Sequence, residues 1–124
     1  MAEYQPGVCN IGAQQRRARR LSGIGSFAIA IVLVLAVALD ALPTGVLWAT
    51  TPFVFGGWIG LVQDYYGFCV AFGALARYDL GGTTGSVAEA EAVAADRRRA
   101  VRILAVTAVL TAVTTVPVVL LGRA

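Results

Sequence analysis

Two stretches of this chain carry no charge for about as long as a helix needs to cross the hydrocarbon of a bilayer, roughly 20 residues. They are Leu21 to Leu39, bounded by Arg20 and Asp40, and Ile103 to Gly122. A third uncharged run, Val46 to Val62, leads into Gln63, Asp64, Tyr65 and Tyr66. Long blocks of this kind leave few folds open. With 58% hydrophobic and only 14% charged residues and a mean hydropathy of +0.75, the chain cannot cover a water-facing surface. The sequence predicts an all-α, polytopic integral membrane protein with three transmembrane helices, at about 21–41, 46–64 and 101–121. At 124 residues it forms a single structural unit in three parts. These are a basic arm over 1–20, a helical hairpin with an interfacial segment over 21–77, and a loop and helix leading into the third span over 78–124.

All ten basic residues are arginines, and position gives their meaning. Arg16, Arg17, Arg19 and Arg20 precede span one, Arg77 follows span two, and Arg97, Arg98, Arg99 and Arg102 precede span three. With three spans drawn, these nine fall on one side and Arg123 alone on the other, which predicts an N-in, C-out topology with the arginine clusters contacting anionic lipid or a partner protein. The net charge of +3 is therefore read as membrane orientation, and no nucleic acid is expected.

Between the first two spans, Leu42-Pro43-Thr44-Gly45 is a reversal signal. Pro52 predicts a kink near the outer end of span two. Extending that span through Ala76 would give about 31 residues, or ~46 Å of helix, too long for the core. A break is expected around Asp64 to Gly67, followed by an interfacial segment over 67–77. The alternative starts the span at Phe53 and ends it near Ala76, leaving Asp64 at mid-membrane as an intramembrane polar site. After a loop from Tyr78 to Gly85, Ser86 and Glu89 read as a capping box. They start a cytoplasmic helix, 86–100, that runs without a breaker into span three.

Small residues mark packing faces. Gly56 and Gly60 form a G-x-x-x-G in span two, with Gly57 alongside, and Thr107, Thr111 and Thr115 share one face of span three. Catalytic signatures are missing from the pattern: there is no histidine, phosphate loop or nucleophile paired with a base, so no catalytic residue, metal or cofactor is expected. The two thiols, Cys9 and Cys69, fall on the arginine side and form the one pair with chemical potential. Two classes follow. One is a non-catalytic accessory or structural subunit of a larger membrane complex, such as an energy-converting one. The other is a thiol- or sulfur-handling membrane protein using Cys9 and Cys69; a small transporter built around Asp64 is a weaker third.

Asn10-Ile11-Gly12, Arg16, Arg19 and Gly23, followed after two spans by Gly67-Phe68-Cys69, resemble a family of short bacterial inner-membrane proteins of unknown function. Its domain also occurs joined to membrane-bound rhodanese sulfurtransferases. The resemblance covers residues 10 to about 75 and departs from the family pattern at Gln15, usually acidic, and Val70, usually proline. It implies a helical hairpin opened by the Asn-Ile-Gly element and closed on the Gly-Phe-Cys segment, and a second-hand connection with sulfur. Together with the arginine bias it implies a multi-pass protein of a prokaryotic cytoplasmic membrane.

Overall fold

The computed structural model of the chain describes residues 4–80 and 84–123. The first long helix, α1, runs over Ala13–Ala38 for 26 residues, ~39 Å at the helical rise. It opens at Gly12, whose carbonyl accepts from the Arg16 amide at 2.9 Å, so all four arginines of the first cluster lie on its first two turns. The basic part of the expected arm over 1–20 is therefore helical, and the residues before Ala13 carry no arginine. Residues Gln5 to Cys9 form a tight turn, and Asn10 to Gly12 dock on the body of the protein. The helix ends at Leu39, and Asp40 takes a left-handed conformation (φ 60°) in the reversal.

Span two is divided into α2, Val46–Ala49, and α3, Thr51–Tyr66. Pro52 cannot donate to the Trp48 carbonyl, and the Thr51 hydroxyl does so instead at 2.7 Å, while Thr50 donates to the Leu47 carbonyl at 2.6 Å. The break falls at Thr50, with the proline in the first turn of α3. At the other end Gly67 adopts φ +65°, the left-handed cap that lets its own N–H reach the Asp64 carbonyl and the Phe68 N–H reach Gln63. The chain then turns into the short helix α4, Val70–Ala74.

The all-α expectation fails beyond α4. Strands β1, Arg77–Asp79, and β2, Thr84–Ser86, pair antiparallel with Arg77 opposite Ser86. Residues 81–83 of the expected loop lie outside the described residues. The cause is tertiary: Asp79 donates its N–H to the Asn10 carbonyl and accepts from the Gly12 N–H, both at 2.9 Å, so the N-terminal segment serves as a template beside β1. Ser86 is consequently held in the ladder, and the expected capping box does not form. The last helix, α5, begins at Ala90 and continues to Arg123, 34 residues or ~51 Å, passing through the exposed Pro117.

Helix α3 is the shared neighbour, packed along α1 on one side and α5 on the other, with α4 against α5. Val62, Phe68, Ala100 and Ile103 form a core at the arginine-bearing end, and Val37, Leu47 and Val119 form a second at the turn end. Ile24, Ile31, Val32 and Leu35 on α1 and Val101, Val109, Val113 and Leu120 on α5 point outward. Three helical stretches, Ala13–Ala38, Val46–Tyr66 and Ala90–Gly122, are long and apolar enough to cross a membrane. Exposed aliphatic flanks on such helices are what a hydrocarbon solvent requires.

Candidate functional site

The residues richest in chemistry meet at the end of the bundle where α1 and α5 begin and α3 stops. Its centre is Asn10, which is fully buried. The Asn10 Oδ1 accepts from the Cys69 N–H at 2.6 Å and its Nδ2 donates to the Cys69 carbonyl at 3.1 Å, a two-bond clamp across 59 positions of chain. The Asn10 and Ile11 amides both point to the Gly67 carbonyl, at 3.2 and 3.4 Å. Gln63 finishes the turn, its Oε1 accepting from the Val70 N–H at 2.8 Å. Backbone groups left exposed by the break between α3 and α4 are thus satisfied by side-chain amides, as burial demands.

Both thiols border this turn. Cys69 is 2% exposed, and the Arg19 Nη2 donates to its Sγ at 3.3 Å. Cys9 is half-buried, donates to the Ile11 carbonyl at 3.3 Å, and lies so close to Gly67 that a Cβ there would sit 3.7 Å from its Sγ. Both cysteines are free. The Arg19 Nε is buried with no hydrogen-bond partner among the described residues.

Asp64 stands in the last turn of α3 facing the first turns of α1. Its carboxylate lies 3.5 Å from Arg16 Nε and 3.6 Å from Arg20 Nη1, and Arg16 also donates to the Asp64 carbonyl oxygen at 2.8 Å. Arg17 projects outward from the same helix. Gln15 reaches Asp79 on β1 at 2.9 Å, so the first turn of α1 also grips the hairpin.

On α5 the buried carboxylate of Asp96 accepts from the Tyr4 hydroxyl at 2.6 Å and from the Gly7 N–H at 2.7 Å, which ties the N-terminal turn to the third long helix. Burial, then the hydrogen bond to this carboxylate and its charge, push the Tyr4 phenol well above its ordinary value of 10.0. Tyr4 also stacks on Tyr78 at 5.0 Å. Of the neighbouring arginines, Arg97 and Arg98 are exposed, while Arg99 lies over the Tyr66 ring at 4.4 Å.

The expected packing residues lie deeper in the bundle. A Cβ on Gly60 would come 2.5 Å from the Arg19 carbonyl oxygen and 2.8 Å from the Gly23 Cα, so this is where the backbones of α1 and α3 touch. Gly56 meets only the Ser26 side chain, and Gly57, beneath the Phe27 ring, is the tighter neighbour. Thr107, Thr111 and Thr115 are all buried; the first two donate one turn back to Ile103 and Thr107, and the Thr115 hydroxyl has no partner among the described residues. Thr114, by contrast, accepts from the Trp58 indole at 3.0 Å. Phe27, Ala30, Val34, Val54 and Val118 line an apolar cavity of about 240 Å³ between the helices.

Asn10, Gln63 and Asp96 are the functional-looking residues that residue-type reasoning does not single out as a site. Only Asn10 leaves a trace, as the first residue of the Asn-Ile-Gly element; a Gln beside Asp64 and an Asp at the head of an arginine run read as ordinary polar residues at a helix end. Chemically the site offers a covered thiol with a cationic donor, a thiol nearer the surface, and a rim of arginines. Among the described residues no group of three His, Cys, Asp or Glu is placed to hold a metal ion. No family model, curated protein or solved structure matches the chain.

Proposed function

We propose that this chain is a non-catalytic multi-pass membrane protein serving as an accessory or structural subunit of a larger membrane assembly. It would lie in the cytoplasmic membrane of a prokaryote, N-in and C-out, with its arginine rim against anionic lipid and its exposed helix flanks open to lipid or partner helices. The observation that carries this reading is how the polar groups at the arginine-bearing end are used. Asn10 is clamped to Cys69, Gln63 to Val70, Asp96 to Tyr4 and Gly7, and Arg16 to Asp64. Each of these contacts ties one element to another and rigidifies the bundle end. Asp64, ion-paired in the last turn of α3, supports an interfacial position rather than a polar site in a translocation path.

Purification in mild detergent followed by mass spectrometry tests the proposal. A stoichiometric partner retained through two chromatographic steps is expected; a chain that migrates alone removes the subunit reading.

One contact favours a second reading, sulfur handling, namely the Arg19 donor on the Cys69 sulfur beside the Cys9 turn. A guanidinium so placed would hold an anionic sulfur species at that position. The resemblance to a domain joined to rhodaneses points the same way. Replacing each cysteine by serine and measuring membrane persulfide and disulfide content decides it: unchanged content eliminates this alternative.

A further inference from the structure

A crevice of about 230 Å³ opens beside α5, lined by Gly7, Ala95, Arg98, Arg99 and Arg102. Among the described residues no carboxylate forms part of its wall. The nearest in sequence, Asp96, is buried and hydrogen-bonded to neutral donors, Tyr4 and Gly7, rather than to an arginine. Arg98 also borders a separate hollow containing Glu89 and Glu91, yet ion-pairs with neither, and among the described residues the ion pairs belong to Arg16 and Arg20. Arg98 and Arg102 are four residues apart and so share a helix face. Arg99 lies against the Tyr66 ring at 4.4 Å, and its Nε is buried with no acceptor among the described residues. Among the described residues the crevice wall thus carries three arginines and no carboxylate, with one buried arginine nitrogen unpaired, an arrangement that an anion would compensate.

Location selects the anion. Arg102 is the last charge before the uncharged run of α5, and the exposed Val101 and Leu104 lie beside it. A ligand reaching this crevice along the helix flank would have a negative headgroup and aliphatic chains.

We propose that the crevice formed by Gly7, Arg98, Arg99 and Arg102 is a specific binding site for the phosphodiester headgroup of an anionic glycerophospholipid, whose acyl chains run along the Val101 and Leu104 flank of α5. The phosphate oxygens accept from Arg98 and Arg102, and their charge offsets that of Arg99. Arg17 and Arg97, which are exposed and outside the crevice, contribute only diffuse attraction. The site rests on the membrane-spanning reading of α5 given above.

The test uses the full chain in detergent, offered equimolar phosphatidylglycerol and phosphatidylcholine, with retained lipid counted by native mass spectrometry. One phosphatidylglycerol per chain is expected, with R98Q/R102Q weakening retention about tenfold or more and the charge-matched R17Q/R97Q by less than about twofold. Equal losses in both double variants, or equal retention of phosphatidylcholine, overturn the site. Displacement of the lipid by millimolar inorganic phosphate would also overturn it, as a site for free anions. Alkaline washing of phosphatidylglycerol vesicles carrying the chain separates the two levels. Release from washed vesicles defeats the membrane reading and the site together, whereas a retained chain without headgroup preference defeats the site alone.

Discussion

Two side chains at the arginine-bearing end illustrate how burial sets the worth of a polar contact. Asn10 is fully buried and satisfies both backbone groups of Cys69. Asn10→Ala leaves those groups unpaired away from water and is expected to lower stability by about 2–4 kcal/mol, read from unfolding in a fixed detergent. Asp64 is charged but partly solvated, so Asp64→Asn should cost less than about 1 kcal/mol. A reversed order would show that the ion pair, not the amide clamp, holds the bundle end. Tyr4 adds a pH dependence of definite sign. Its folded value lies above 10.0, so its stabilising contribution is complete below pH 10.0 and is lost as pH rises from there through the raised folded value. Protection of the Gly7 amide relative to its intrinsic base-catalysed exchange, which reports the same docking on Asp96, should fall across that alkaline range in the native chain and stay level with pH in Tyr4→Phe. None of these partners can be read from residue types, because each joins positions far apart in the chain.

For the helices and strands, the apolar runs and breakers were the legible part. The uncharged blocks placed three long helices, and Gly67 stopped α3 where a ~46 Å helix would have outgrown the bilayer core. The β-hairpin was not legible. Its three-residue strands have no periodicity to detect, and Ser86-Val87-Ala88-Glu89 satisfies a capping pattern that local chemistry alone would favour. Asn10 and Gly12 override that pattern by supplying ladder partners to Asp79. The glycine motif was legible as a group: Gly60 and the Gly57 beside it, with Gly23 of α1, make the close crossing, and Gly56 meets the Ser26 side chain. Gly60→Ala must push two backbones apart and is expected to destabilise the chain by about 1–3 kcal/mol. Gly25→Ala, with nothing within 4 Å, should be neutral or slightly stabilising. Thermal unfolding of the pair in one detergent checks the crossing; similar losses at both sites would mean that α1 and α3 do not meet at Gly60.

Across the whole molecule, the arginines of α1 and Arg97, Arg98, Arg99 and Arg102 of α5 lie at one end of the bundle with the α3–α4 turn, while the Leu42–Gly45 turn lies at the other. In the proposed N-in, C-out arrangement, a single cysteine introduced as Arg17→Cys in a Cys9→Ser/Cys69→Ser background should be labelled by an impermeant maleimide only in inside-out vesicles. Thr44→Cys should be labelled only in right-side-out ones. Labelling of both from one side excludes a three-span topology. Helices α1 and α5 present aliphatic flanks around a shared α3, which leaves the bundle with large apolar faces and a rigid polar end. That combination suits association within a membrane.

Solvent preference and length were written into the sequence alone: uncharged runs of helix-spanning length, flanked by arginine, dictate long apolar helices whatever they pack against, because a backbone in oil must bond to itself. What only the tertiary structure decided was how the remaining polar groups are paired. Asn10 against Cys69, Arg19 against the Cys69 sulfur, Asp96 against Tyr4, and the hairpin templated on Gly12 all depend on which chain ends meet in space. Hydrogen bonds are short-ranged and directional, so their partners are fixed by geometry that no local pattern encodes.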